Sequence, residues 1–211
     1  MTTEPQQTAP DFEMTTSGAW CCVSLLDEQL DPAEPVDAWI DQVPGLEPYR
    51  DVLTKLVGAA VSEGERLEAL GVMVCAAAVE HQLFVGSARL DVVDSGFEQD
   101  GVLVTDTAAM ADMTRATMTP EMLETGLADV RTVTFGSGVQ AVRMRTLAEV
   151  PNGPGVDDEI VIDWVRYLVP TPGGQRLVVL DFETADLVVS DELVAMFDEV
   201  AESFRWAADA A

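Results

Sequence analysis

Apolar positions along the chain change their spacing several times, and each change marks an expected element. Trp20 to Leu26 is a short apolar run that reads as a first strand. The stretch Asp31-Pro-Ala-Glu-Pro is punctuation, and Pro35 suits the first turn of a short helix through Trp39 and Ile40. Pro44-Gly45 stops that helix. From Glu47 to Val61, apolar residues Val52, Leu53, Leu56, Val57, Ala60 and Val61 recur at helical spacing, with Glu47 and Asp51 at the start. Leu67 to Val79 is a long apolar run whose period alone does not separate strand from helix. The unit Val85 to Val93 that follows favours a hairpin, with Glu80-His81-Gln82 near its turn.

Residues 94–116 show the least regular pattern, with Val102-Leu103-Val104 as a short strand. Thr119-Pro120-Glu121 then reads as a helix start: a capping hydroxyl, a proline at the first helical position and an acid in the first turn. This helix is expected to end between Gly126 and Val130. Beyond it, Arg131 to Phe135 alternates, Gly136-Ser137-Gly138 turns, and Val139 to Leu147 alternates again, with Met144 out of phase. Pro151 to Gly155 is a loop. Ile160 to Val169 places Ile160, Ile162, Trp164 and Arg166 on one face of a strand. Pro170 to Gly174 is a hairpin turn, and Leu177 to Phe182 is the return strand. Ser190-Asp191-Glu192 reads as the cap of a closing amphipathic helix carrying Leu193, Val194, Met196, Phe197, Val200, Ala201 and Phe204.

Adjacent hairpins without repeated strand–helix–strand units imply an α+β fold, an antiparallel β-sheet flanked by helices. Residues 1–18 are polar and read as a disordered or loosely docked N-terminal tail, leaving 19–207 as a single domain.

Charge changes the picture more than length does. The 211 residues hold 11 Lys+Arg against 38 Asp+Glu, a formal net charge of −27. An apolar share of 48% is enough for a core, so the chain is not of the charged, disordered kind. The negative field disfavours nucleic acid and anionic membranes, because binding them requires cations that displace counterions. Three uses of the acidity remain: solubility, attraction of a basic partner, and mimicry of nucleic acid. The carboxylates are scattered among apolar residues, which ranks mimicry last. The start lacks a basic region followed by an apolar one, and no stretch reaches the length of a membrane span, so the expectation is a cytoplasmic protein.

Candidate chemistry is sparse. Cys21, Cys22 and Cys75 are an odd set with one adjacent pair, which is not a disulfide framework. No second cysteine pair or histidine cluster accompanies them to complete a metal site. His81, the one histidine, would have to approach Cys75 or Cys22 to make a nucleophile pair, and a turn position is the simpler expectation. Ser137 lies between glycines at a strand-to-strand turn, unlike a nucleophile elbow. The run Asp157-Asp158-Glu159 lacks the spacing of a calcium loop. Met110, Met113, Met118 and Met122 cluster at spacings that suit packing on the sheet or an adaptable partner-binding surface. No catalytic, cofactor or metal residues are therefore expected.

Over residues 131–206 the chain resembles small actinobacterial proteins of the PsbP-like fold. The residues that carry the resemblance are Gly138-Val-Gln-Ala-Val-Arg-Met-Arg145, Val165 to Gly174, Leu177 to Thr184, and Leu193 to Trp206, with a weaker match at Phe84 to Leu90. That resemblance implies an antiparallel sheet flanked by helices and protein binding without catalysis. The expected function is an adaptor or chaperone-like module for a basic or amphipathic protein partner. An immunity protein that neutralises a cationic toxin is the alternative, and a small-ligand binder or enzyme with a site in loops 94–118 is a third. Edge strands leave a homodimer open.

Overall fold

The computed structural model describes residues 11–26, 31, 33–151 and 159–207. In chain order the elements are β1 (Phe12–Glu13), β2 (Trp20–Ser24), α1 (Ala33–Ile40), α2 (Arg50–Arg66), β3 (Gly71–Val79) and β4 (Gln82–Asp94). Then come β5 (Glu98–Gln99), β6 (Val102–Leu103), α3 (Thr107–Arg115), α4 (Pro120–Glu124), β7 (Ala128–Thr134) and β8 (Gln140–Pro151). The chain closes with β9 (Glu159–Pro170), β10 (Arg176–Thr184), α5 (Ser190–Glu202) and β11 (Arg205–Trp206). Seven strands form one sheet in the order β2-β3-β4-β10-β9-β8-β7. Every neighbouring pair is antiparallel, so the fold is α+β. Two strand sets, β2 to β4 and β7 to β10, meet where β4 pairs with β10.

Both faces of the sheet carry helices. On one face Leu193, Val194, Phe197, Val200 and Ala201 of α5, with Phe204 just past its end, pack against Met73, Cys75, Val165, Tyr167, Leu180 and Phe182. The Phe182 and Phe197 rings stack at 4.9 Å. Phe182, Phe197 and Phe204 are fully enclosed, which is worth about 1.5–3 kcal/mol for each ring. The other face is shared. α1 and α2 cover β2 and β3 through Val36, Trp39, Leu53, Val57 and Val61. α3 covers the β7–β8 end, where Met110 and Ala111 meet Val130, Val142 and Met144. The helices leave part of this face open over β4, β10 and β9. Gly64 sets how low α2 lies, since a Cβ there would come within 2.7 Å of Val72 Cγ1.

Most expected elements are present, with shifted ends. The long apolar run is β3, and Glu80 and His81 form its turn with positive φ of 49° and 69°, the backbone of a tight two-residue hairpin. Three readings need correction. Ser190 is the first residue of α5 and not its cap: Val189 holds the cap position, and no side chain caps the helix. Residues 94–116 are more ordered than their pattern indicated. β5 pairs with β6, and α3 is a full helix whose cap, Asp106, accepts a hydrogen bond from Ala109 N at 2.8 Å. Its inward face is Thr107, Met110, Ala111 and Thr114. Two of those four are threonines, which hides the apolar stripe, and Thr114 satisfies its hydroxyl on Met110 O at 2.8 Å. The tail assignment is also too long. Phe12 pairs with Trp206 across β1 and β11 and stacks on Phe204 at 5.3 Å, and Thr15 N donates to Ser203 Oγ. Residues 11–16 therefore clasp the end of α5. Residues 1–10 and the acids Asp157 and Asp158 lie outside the described residues.

Candidate functional site

The open part of the second face forms a groove of about 720 Å³. Leu56, Ala59, Ala60 and Glu63 of α2 make one wall, and Ala148, Val150, Ile160 and Ile162 of the β8–β9 hairpin line it from across the sheet. This hairpin runs past the end of β10, which pairs with β9 only as far as Asp163. Strand alternation places Val85, Ser87 and Arg89 of β4, Asp181 and Glu183 of β10, and Trp164 of β9 on the floor.

The floor has a charged end and an apolar end. At the charged end, Arg89, Asp181 and Arg166 lie side by side on three neighbouring strands. Asp181 accepts from Arg89 Nη2 at 3.0 Å and from Arg166 Nε and Nη2 at 2.5 and 2.7 Å. Arg89 Nε also reaches Asp91 at 2.6 Å. Arg166 lies 4.2 Å over the Trp164 ring, which holds its plane against the floor. Burial works against the Arg89 charge, but the hydrogen bond to Asp91 and the charges of Asp91, Asp181 and Glu183 outweigh it and hold the guanidinium above its ordinary value. With Asp91 counted the row is neutral in sum, and it fixes the alignment of β4, β10 and β9. Beyond it, Glu183 accepts from Ser87 at 3.0 Å and is otherwise exposed. Glu63 faces the groove from α2. The hydrogen bond from Arg66, with the charges of Arg66 and Arg89, keeps its carboxyl below the usual range. The groove thus combines an apolar bed with two exposed carboxylates that border it, Glu63 on the α2 wall and Glu183 on the floor beyond the charged row.

The candidates read from the sequence lie elsewhere. Met110 is fully buried, so it is a core residue and not a surface one. Met118 packs against the same cluster, and Met113 and Met122 are half-buried on α3 and α4. Cys21 and Cys75 are buried and Cys22 is exposed. Burial, with Cys22 alongside, pushes the Cys21 thiol up to about 11, and burial pushes Cys75 up to about 12. His81 is exposed at the tip of the β3–β4 hairpin, while Cys75 is enclosed under α5. Ser137 donates to Phe204 O at 2.7 Å, a structural bond. Among the described residues no group of three or more His, Cys, Asp or Glu side chains is placed to hold a metal ion. No helix among them is long and apolar enough to cross a membrane. The groove is not lined by any residue of 94–118.

No family model matches the chain, and neither does any curated protein or solved structure. The site therefore rests on its own geometry. Its residues were partly visible beforehand, because the β9 alternation set Ile160, Ile162, Trp164 and Arg166 on one face. The signal overlooked was charge at inward strand positions: Arg89 and Asp181 sit inside apolar runs, where an unpaired charge would be costly.

Proposed function

We propose that this chain is a non-catalytic protein-binding module, whose groove receives a basic amphipathic segment of a partner protein in the cytoplasm. The observation that carries the reading is the apolar bed bordered by the exposed carboxylates Glu63 and Glu183, in a chain of net charge −27. An apolar stripe laid against Leu56, Ala60, Val150, Ile160 and Ile162 would leave lysines or arginines on its flanks to meet those carboxylates. The same field raises the encounter rate of a cationic partner and repels an anionic one. A neutral or acidic lipophile would fill the bed but gain nothing from the rim. The helix-flanked antiparallel sheet supports the PsbP-like relationship, and protein binding is the habit that this relationship implies. Unbridged thiols suit a reducing compartment.

The test is calorimetric titration with two synthetic amphipathic helices that share a leucine face, one flanked by lysines and one by glutamates. The expected result is saturable binding of the lysine peptide only, weakened by salt and lost in Ile162→Asp, with a urea melt confirming that this variant is folded. Equal binding of both peptides, or binding of a neutral long-chain alcohol with neither peptide bound, would overturn the proposal.

A further inference from the structure

A second cavity of about 550 Å³ lies on the opposite face, between α5 and the β7–β8 edge. Its lining holds Arg131, Arg143 and Arg145 with Asp129, Asp191 and Asp198, alongside Leu127, Leu147 and Val194. Charges of the two signs are equal in number there, although acids outnumber bases 38 to 11 over the whole chain. The three arginines are not equivalent. Arg145 is bound through Nε and Nη2 to Asp163, at 3.0 and 2.6 Å, and through Nη2 to Asp191 at 2.7 Å. Arg143 is almost fully enclosed, and its Nε and Nη2 are taken by Asp198 at 2.9 and 3.2 Å, with Tyr167 Oη 3.2 Å from Nε. Its Nη1 has only Asp129 Oδ2, at 3.6 Å. The same oxygen lies 3.5 Å from Arg131 Nε. Charge-assisted hydrogen bonds are normally 2.7–2.9 Å, so Asp129 sits between two guanidinium groups without bonding either. Among the described residues the Arg131 guanidinium makes no hydrogen bond, and the Asp129 and Arg131 side chains are both about half exposed.

We propose that Arg131 and Arg143 form an anion-binding site for a small ligand bearing one carboxylate or phosphate group, with an apolar portion against Leu127, Leu147 and Val194. The Asp129 carboxylate stands where the ligand's anion would bridge the two guanidinium groups, and it swings outward when the ligand enters. Arg143 is held rigid by Asp198 and Tyr167, so little side-chain freedom is lost on binding. The overall negative charge weakens capture less than its size suggests, because charges farther than about 8 Å are screened at physiological ionic strength. This site is independent of the groove.

The experiment is amide NMR titration of the full chain with inorganic phosphate and, separately, with butyrate, each against chloride at matched ionic strength. Saturable shifts at Leu127, Arg131 and Leu147 are expected with at least one probe and not with chloride. Phosphate alone assigns the phosphate class, and butyrate alone the carboxylate class. Arg131→Gln should weaken binding about tenfold and Asp129→Asn should tighten it about tenfold, the scale of one charge-assisted contact. Both positions are exposed enough to leave the fold intact, which a urea melt checks. Shifts that chloride reproduces, binding unaltered in Arg131→Gln, or no binding of either probe to Asp129→Asn would overturn the proposal.

Discussion

Gly86→Ala in β4 tests whether the α5 face is packed as tightly as the geometry shows. A Cβ at Gly86 would lie 2.7 Å from Phe197 Cζ, 3.0 Å from Cε1 and 3.1 Å from Cys75 Sγ. Carbon atoms settle at about 3.5–4.0 Å, so the ring must retreat by nearly an ångström. It has no room to do so, since Phe182 stacks on it at 4.9 Å and Trp20 tilts against it at 5.7 Å. Overpacking of this kind costs about 1–3 kcal/mol. Removing a strand glycine returns up to about 1 kcal/mol through the unfolded chain, so a net loss of about 1–2 kcal/mol is expected. Phe197→Leu removes the atoms that clash and leaves a void of its own, at a cost of about 1–2 kcal/mol. The double variant should therefore be no less stable than Phe197→Leu alone. Urea denaturation of the four proteins measures the coupling, expected at about 1–2 kcal/mol and compensating in sign. Simple addition of the two losses would show that Phe197 does not seat against Gly86 and would refute the reasoning.

Two further outcomes concern buried charge and buried thiols. Arg145→Met strands the fully enclosed Asp163 carboxylate and should cost about 3 kcal/mol; adding Asp163→Leu should recover most of that loss in the same urea assay. Cys75 keeps its proton in the folded state up to about pH 12, whereas an unfolded thiol releases it near 9. Stability is thus fully present below about pH 9 and falls as pH rises toward 12, by about 1.4 kcal/mol per pH unit for this thiol. Cys75→Ala should flatten the decline measured by thermal melts between pH 9 and 10.5, and an unchanged slope would exclude the buried thiol as its source.

Strands, turns and the closing helix were legible because their signals are local. Glu80-His81 turns where the apolar run breaks, Thr119-Pro120 caps where a cap was expected, and the α5 stripe repeats at helical spacing. The signal failed where polar groups take core positions. α3 buries two threonines, and β8 buries Arg143 on one face and Met144 on the other, so its alternation looked out of phase. The groove was legible only in part for a similar reason. Its apolar β9 residues share a face by alternation, but the Arg89–Asp181–Arg166 row joins strands that a single sequence does not place side by side.

That row lies across the line where β4 meets β10, and so across the join between the two strand sets. The first set comes from the start of the chain and the second from its end, so this join closes over a long span of sequence and is among the slowest contacts to form. Any segment seated in the groove would rest on β4, β10 and β9 at once and touch both α2 and the β8–β9 hairpin. Occupancy then acts as a clasp on the whole molecule: the bound form resists separation of its halves in proportion to the logarithm of ligand concentration. Under the proposed function, partner recognition and global stability would be two readings of one thermodynamic link.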